Sequence, residues 1–172
     1  MENISIRLAD LSDANTLCKI GAKTFFETYA QRNSVVDMQQ YLAANFNKQA
    51  VAKQIEHAGS TFYIAYLENE PIGYLKLNTA EAQTDLKEHD SIEIERIYVL
   101  AAYHGKNIGQ LLYQKAVTMA KEKGKSSIWL GVWEQNPRAI RFYEKQGFEK
   151  FDTHIFVVGS EEQTDYLMRK LL

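Results

Sequence analysis

Two carboxylates in a strand-like segment are the first residues in this sequence that could do chemistry. Glu93 and Glu95 lie two residues apart in SIEIERIYV (91–99). Residues two apart on a strand share one face if no bulge falls between them. A carboxylate beside an acceptor group can remove its proton, directly or through a water. Without a neighbouring ligand site, the ordinary interpretation is two solvated strand carboxylates.

The turn that follows, AYHGKNIGQ (102–110), is the second chemical signal. Gly105 and Gly109 allow a ligand to approach the backbone, and the helix start presents unpaired N–H groups with the positive end of the helix dipole. Such a turn binds phosphate groups through its amides. It is not a Walker A loop, because Asn107 follows Lys106 where Ser or Thr is required. The dinucleotide fingerprint needs three glycines spaced G-x-G-x-x-G, and only Gly105 and Gly109 are present. An ordinary strand-to-helix turn is the alternative.

The elements that must position these residues follow from the apolar pattern. Alternation and helical periodicity predict the order β, α, α, α, β, β, β, α, β, α, β, β. Ile92 and Ile94 have one parity along the strand, whereas Ile97 and Val99 have the other. This slip predicts a β-bulge inside 91–99.

The sequence marks both ends of one later helix clearly. Asn136 is predicted as its N-cap, Pro137 as its first residue and Gly147 as its end. Residues 79–90 are predicted as a surface connection. Residues 148–158 and 164–172 are predicted as the last two strands.

Composition bounds the class of protein. With 172 residues, 45% of them hydrophobic, the chain is predicted to form a single domain over 1–172. A formal net charge of −2 argues against a nucleic-acid partner and tolerates a cationic small molecule. No basic-then-apolar leader and no apolar run of about 18 residues is present, so we expect a cytoplasmic protein without a membrane partner.

Neither a metal nor a nucleophilic cysteine is expected. Cys18 is the single cysteine and lies between Leu17 and Ile20, as a small buried residue would. The histidines show no metal-ligand spacing; they are His57, His89, His104 and His154.

Two motifs resemble the GNAT acetyltransferase superfamily. The turn resembles its acetyl-CoA pyrophosphate loop, Q/R-x-x-G-x-G/A, with two departures, His104 and Asn107. Asn is the residue other than glycine that best tolerates a left-handed backbone, so the second departure is mild. Residues 136–148 resemble the family's N-x-x-A-x-x-F-Y-x-x-x-G-F segment, and every signature residue is present.

The resemblance implies an α/β (α+β) GNAT fold, with a central mixed, mostly antiparallel sheet of about seven strands flanked by helices. It implies acetyl-CoA as co-substrate, Asn136 at the pantetheine or phosphate arm and Tyr143 near the thioester sulfur. The cofactor-binding residues expected in this sequence are Ile97, Tyr98, Val99, His104, Gly105, Lys106, Asn107, Ile108, Gly109, Gln110, Asn136, Tyr143 and Lys145.

Similarity to the PaiA-type bacterial spermidine/spermine N-acetyltransferases extends over essentially the whole chain, and it implies a polyamine acceptor. Direct transfer then needs a base, for which Glu95 is preferred, Glu93 is second and Glu27 is a further carboxylate for the substrate's charge. Tyr143 is the expected acid for the leaving thiolate. Two alternative functions stay open: acetylation of a peptide, lysine or aminoglycoside amine, and a sensor that binds acetyl-CoA but catalyses weakly. A homodimeric state also stays open. The segments that carry the similarity are 24–29, 41–46, 92–99, 129–134 and 161–168.

Overall fold

A computed structural model describes residues 3–172 of the chain. Seven strands and five α-helices form within these residues, in the predicted order. The strands are β1 (Ile4–Leu8), β2 (Ser60–Leu67), β3 (Glu70–Thr79), β4 (Ser91–Val99), β5 (Ser127–Trp133), β6 (Glu149–Val158) and β7 (Glu161–Leu171). The helices are α1 (Ala14–Tyr29), α2 (Val35–Asn45), α3 (Lys48–Glu56), α4 (Ile108–Glu122) and α5 (Pro137–Lys145).

All seven strands form one sheet in the order β1-β2-β3-β4-β5-β7-β6. β4 and β5 pair in parallel, and every other neighbouring pair is antiparallel. A parallel pair requires a crossover connection, which α4 supplies. The predicted mixed, mostly antiparallel sheet is confirmed.

Helices cover both faces of this sheet. Ile64 and Ala65 are neighbours on β2, yet they belong to different apolar clusters because successive strand residues point to opposite faces. Ala65 joins the cluster that contains Leu112 of α4. Ile64 joins the cluster that contains Leu17 of α1 and Val51 of α3. The sheet is therefore the central layer between α4 and the helical layer of α1 and α3.

Local capping chemistry sets the ends of α5 as predicted. The Asn136 side chain accepts a hydrogen bond from the backbone N–H of Ala139 at 3.2 Å, and Pro137 is the first helical residue. Gly147 adopts a left-handed conformation with φ +88°, which a residue without a β-carbon adopts readily. Two adjacent residues consequently fix the start of α5, and Gly147 follows its end.

The last hairpin corrects one predicted boundary. Val158 pairs with Glu161, so a two-residue turn at Gly159 and Ser160 joins the strands, and the prediction that β7 begins at 164 is wrong. Residues 161–163 carry no apolar side chain and gave no strand signal, but pairing with β6 extends the strand through them. The hydroxyl of Ser160 donates to Asp37 at 3.2 Å, which ties the turn to α2.

The polar stretch 79–90 is also more deeply placed than a surface connection. Gln83 is 2% exposed and accepts hydrogen bonds from the Trp129 indole N–H at 2.6 Å and the Ser91 hydroxyl at 3.0 Å. The stretch has few apolar residues, and hydrogen bonds hold Gln83 against the sheet. The surface prediction is wrong for Gln83.

Candidate active site

β4 and β5 separate halfway along, which opens a cleft in the sheet. Their parallel pairing runs from Ser91 opposite Ser127 to Ile94 opposite Leu130, although both strands continue further. Beyond Ile94, the backbone of β4 therefore lacks a strand partner on this side and is available to an extended ligand. The cleft is lined by Thr28, Tyr29, Ile94, Glu95, Ile97, Tyr98, Gly131, Val132, Trp133, Asn136, Ala139 and Tyr143.

The predicted β-bulge lies in β4 at Glu95. Ile94 and Arg96 lie opposite successive residues of β3, so Glu95 between them has no partner in the register. The extra residue brings Ile97 and Val99 to the face of Ile94, where all three join the core beneath α4. The slip in parity read from the sequence is confirmed, and its consequence is a carboxylate at the point where the strands part.

Glu95 is ionised and held by neighbouring charges. Its Oε2 lies 2.5 Å from the ammonium of Lys76 and accepts a hydrogen bond from the Asn78 amide at 2.5 Å, and its Oε1 lies 3.4 Å from the Arg96 guanidinium. Burial alone would raise the pKa of Glu95, but the charges of Arg96 and Lys76 outweigh it and hold the pKa below its ordinary value. The carboxylate is therefore charged at neutral pH, the state from which a base accepts a proton.

Glu93 does not line the cleft. It is 3% exposed and accepts hydrogen bonds from the backbone N–H of Thr84 at 2.9 Å, the Thr84 hydroxyl at 2.5 Å and the Asn78 amide at 3.0 Å. Burial raises the pKa of Glu93. Of the two predicted bases, the structure brings only Glu95 to the cleft, and a catalytic role for Glu93 stays a prediction.

Tyr143 serves packing and lines the cleft at the same time. It is 7% exposed, and its ring centroid lies 5.3 Å from that of Phe142 and 5.6 Å from that of Phe148. Burial raises the pKa of its hydroxyl, so the group stays protonated and can donate a hydrogen bond. The structure thus brings Tyr143, Glu95 and Asn136 to one cleft.

Three predicted backbone contacts lie on the free edge of β4. Ile97 and Tyr98 line the cleft, as expected for residues that pair with an extended arm. The carbonyl of Val99 lies 2.8 Å from Nε2 of His104, so this oxygen already has a partner within the chain. His104 thereby ties the turn back to the strand that precedes it.

The turn before α4 has the conformation that anion binding requires. Gly105 has φ +84° and Asn107 has φ +64°, so Asn107 adopts the left-handed backbone expected of it. The side chain of the N-cap residue, Asn107, makes no capping hydrogen bond to the first turn of α4. A β-carbon added at Gly105 or Gly109 would meet no atom within 4 Å, so the surface over the turn is open. The first-turn amides, including those of Ile108 and Gln110, therefore suit a phosphate group.

Three other predicted cofactor contacts are not brought to the cleft. The side-chain amides of Gln110 and Gln146 exchange hydrogen bonds at 3.3 and 2.8 Å. The ammonium of Lys106 lies 5.7 Å from the ring centroid of Tyr103. Lys145 is exposed in the last turn of α5. Their binding roles stay predictions.

Some residues at the site have no counterpart among the predicted ones. The guanidinium of Arg138 lies 2.9 Å from Nδ1 of His104 and brings a positive charge to the turn. Its position directly after Pro137, at the start of α5, could have marked Arg138 as a site residue in the sequence. Tyr29 and Trp133 line the cleft with ring centroids 5.6 Å apart. Tyr29 lies in one of the similar segments, 24–29, but its spacing on α1 is that of an ordinary core residue and did not mark it as part of the site.

Other chemistries find no support in the described part of the chain. The Cys18 thiol donates to the carbonyl of Phe46, and burial raises its pKa, which disfavours a nucleophilic thiolate. Within residues 3–172, no three His, Cys, Asp or Glu side chains are grouped as metal ligands. Across the same residues, every helix is too short or too polar to cross a bilayer.

Comparison with known proteins decides the family. Residues 22–148 match the acetyltransferase (GNAT) family. The chain is 35% identical over 172 residues to an uncharacterised N-acetyltransferase in the pepI 3′ region of Lactobacillus delbrueckii subsp. lactis, covering 100% of this chain and 99% of that protein. This protein belongs to the GNAT acetyltransferase family.

Two further similarities of this GNAT protein are to Thermoplasma acidophilum. It is 26% identical over 172 residues to the spermidine N(1)-acetyltransferase of that organism, covering 98% of this chain and 97% of the relative. The crystal structure of the Thermoplasma PaiA N-acetyltransferase in complex with coenzyme A gives a TM-score of 0.81 at 26% identity, over 99% of both chains. The resemblance noted in the sequence is confirmed.

Acetyl-CoA is the co-substrate of this GNAT acetyltransferase, and the residues present fit it. The open, uncapped first turn of α4 suits the pyrophosphate, and the free edge of β4 suits the extended pantetheine arm. Tyr143 lines the cleft into which that edge leads. The chain thus offers an anion site and an extended groove side by side.

Acetyl-CoA should raise the melting temperature. Binding at a hundredfold excess over the dissociation constant stabilises the native state by about 2.7 kcal/mol. For a chain of this size the shift is roughly 5–10 °C. A thermal denaturation series with millimolar acetyl-CoA measures it, and an unchanged melting temperature would contradict binding.

Gly109→Asp is the variant that locates the pyrophosphate. A carboxylate in the first turn of α4 favours the helix dipole and meets open space, so the protein without acetyl-CoA should keep or gain stability. The same carboxylate repels a pyrophosphate, so the acetyl-CoA-dependent shift should shrink or vanish. A full shift in this variant would place the pyrophosphate elsewhere.

Proposed function

We propose that this protein acetylates primary amino groups of polyamines such as spermidine and spermine, by direct transfer from acetyl-CoA. The proposal rests on the position of Glu95, an ionised carboxylate that the β-bulge places where β4 and β5 separate. Tyr143 lines the same cleft. The similarity to the Thermoplasma spermidine N(1)-acetyltransferase supports this acceptor class.

In the proposed reaction, a C–N bond forms and the thioester C–S bond breaks. The acceptor ammonium first loses one proton, which Glu95 takes directly or through a water. A backbone N–H near Ile97 polarises the acetyl carbonyl as the amine nitrogen attacks its carbon. As the C–S bond breaks, the attacking nitrogen releases its second proton to solvent, which leaves a neutral amide. CoA leaves as a thiolate and receives a proton from the Tyr143 hydroxyl, which solvent later reprotonates.

Carboxylates around the acceptor provide the preference for polycations. Glu95 faces the cleft, whereas Glu27, expected as a further carboxylate, is exposed and accepts a hydrogen bond from the backbone N–H of Ala101 at 2.9 Å. Each exposed carboxylate–ammonium contact contributes only about 0.2–1 kcal/mol. Selectivity consequently depends on several contacts acting together.

A neutral-chain primary amine of the same length should be a poorer substrate than spermidine. Loss of two such contacts lowers kcat/KM by roughly 2–30-fold at low salt, and added salt should narrow the difference. Thiol release from acetyl-CoA, followed for both amines at two ionic strengths, measures this. Equal rates at low salt would overturn the polyamine assignment and leave the acetyltransferase.

The same assay separates the other acceptors. Release with a peptide N-terminus, a lysine or an aminoglycoside, but not with spermidine, would replace the proposed substrate class. Binding of acetyl-CoA without any amine-dependent release would indicate a sensor.

A further inference from the structure

A second carboxylate, Asp165 of β7, stands beside the floor of the cleft. It pairs across the sheet with Trp133, which lines the cleft. Its Oδ2 lies 3.4 Å from the position that a β-carbon at Gly131 would occupy. Gly131 is exposed, although its neighbours Leu130 and Val132 on β5 are buried. Because residue 131 has no side chain, a ligand in the cleft can reach the Asp165 carboxylate.

Asp165 lacks the partner that a carboxylate in this setting normally has. Its Oδ1 is buried and has no hydrogen-bond partner among residues 3–172. Its cross-strand neighbour His154 instead lies 3.1 Å from Asp85. Burial raises the pKa of Asp165 to about 6, so placing its charge here is unfavourable in the absence of a cation. A cationic ligand would remove this penalty.

Aromatic rings pack together on the face of the sheet that carries this carboxylate. The ring centroid of Tyr29 lies 5.6 Å from that of Trp133 and 6.1 Å from that of Phe156, and the Tyr41 ring lies 6.1 Å from Phe156. Phe156 lies two residues beyond the cross-strand neighbour of Asp165 and so points to the same face. A carboxylate among aromatic faces suits an alkylammonium group, which both attract.

We propose that Asp165 binds a second ammonium group of the acceptor while the reacting amine lies at Glu95. The proposal rests on the polyamine acetylation proposed above and adds the residue that selects di- and polyamines over monoamines. Glu95 lines the cleft, and Asp165 lies beside Gly131, which lines it as well, so the two carboxylates are placed to engage two ammonium groups of one substrate. Asp165 contacts the substrate away from the reacting nitrogen and determines specificity.

Asp165→Asn tests this assignment with two amines. For spermidine, kcat/KM should fall roughly 10–100-fold, mainly through KM, because a hydrogen-bonded charge pair is lost. For a neutral-chain primary amine of equal length, kcat/KM should change less than about twofold, because no second ammonium is present. The matched control is Glu162→Gln, which removes the same charge from an exposed position on the opposite face of β7 and should leave both values unchanged.

Gly131→Ala gives a second test without any change of charge. The added methyl group would lie 3.4 Å from Oδ2 of Asp165 and narrow the approach to it, so kcat/KM should fall further for spermidine than for the neutral-chain amine. An undiminished preference for spermidine in both variants would overturn the role of Asp165.

Thermal stability separates this role from a structural one. Because the pKa of Asp165 is raised to about 6, its ionisation destabilises the fold as pH rises through 6. The charged groups that act on this carboxyl group are His154, Asp85 and Glu134. Asp165→Asn should therefore melt no lower than the wild type at pH 8, and a marked loss of stability would indicate a structural residue. If the wild type shows no preference for spermidine, the polyamine function fails as well. If the wild type prefers spermidine and Asp165→Asn keeps that preference, only the Asp165 assignment fails.

Discussion

Replacing Tyr143 with Phe is expected to lower turnover roughly 10²–10⁴-fold and to leave acetyl-CoA affinity nearly unchanged. The ring remains and keeps its contacts with Phe142 and Phe148, so α5 stays packed on the sheet. Only the hydroxyl is lost, and burial keeps that hydroxyl protonated and able to donate to the leaving thiolate. Steady-state turnover and the acetyl-CoA-dependent shift in melting temperature measure the two effects.

Tyr113→Phe is the matched control for this experiment. Tyr113 is also buried, its ring also contacts Phe148, and its hydroxyl accepts a hydrogen bond from Lys170 at 2.9 Å. It does not line the cleft, so its loss should lower stability by about 0.5–1.5 kcal/mol and leave turnover unchanged. Normal turnover in Tyr143→Phe would return Tyr143 to a packing role.

Replacing Glu95 with Gln is expected to lower turnover at pH 7 by roughly 10²–10⁴-fold, as the loss of a general base requires. The pKa of Glu95 lies below its ordinary value of 4.5, so the wild-type rate should not titrate with this group near neutral pH. In the variant, turnover should rise about tenfold per pH unit toward the acceptor's own pKa near 10, because solution deprotonation replaces the base. The pH–rate profiles of both proteins measure this.

Glu93→Gln is the comparison that assigns the base. Glu93 shares the Asn78 partner with Glu95 but lies buried against Thr84, outside the cleft. The Glu93→Gln variant should therefore retain most of the wild-type turnover at pH 7. A larger loss in Glu93→Gln than in Glu95→Gln would reverse the assignment.

Stability must be followed alongside the Glu95 variant. Because the folded pKa of Glu95 is depressed, its ionisation stabilises the fold above about pH 4.5, and that contribution is lost as pH falls through the folded pKa. Burial lowers the pKa of Lys76, and Glu95 offsets part of this effect. Glu95→Gln should thus melt somewhat lower at pH 7, and turnover is compared at a temperature where both proteins are folded.

The sequence by itself determined those features that depend on short stretches of chain. Asn136, Pro137 and Gly147 specify the ends of α5 through capping and backbone preference. The parity slip between Ile94 and Ile97 specified the bulge, because strand alternation has a fixed period of two. The family also followed from short segments, because the turn at 102–110 and residues 136–148 carry its motifs in consecutive stretches of chain.

Tertiary structure alone decided the partners and the charge state of the carboxylates. The sequence favoured Glu95 over Glu93, but it did not show that Thr84, in the connection before β4, engages Glu93, or that Lys76 of β3 engages Glu95. Asp165 carried no signal, because its place beside Gly131 depends on the pairing of β5 with β7. Burial and cross-strand neighbours arise only when distant segments come together, and these determine the pKa of each carboxyl group and its access to a substrate.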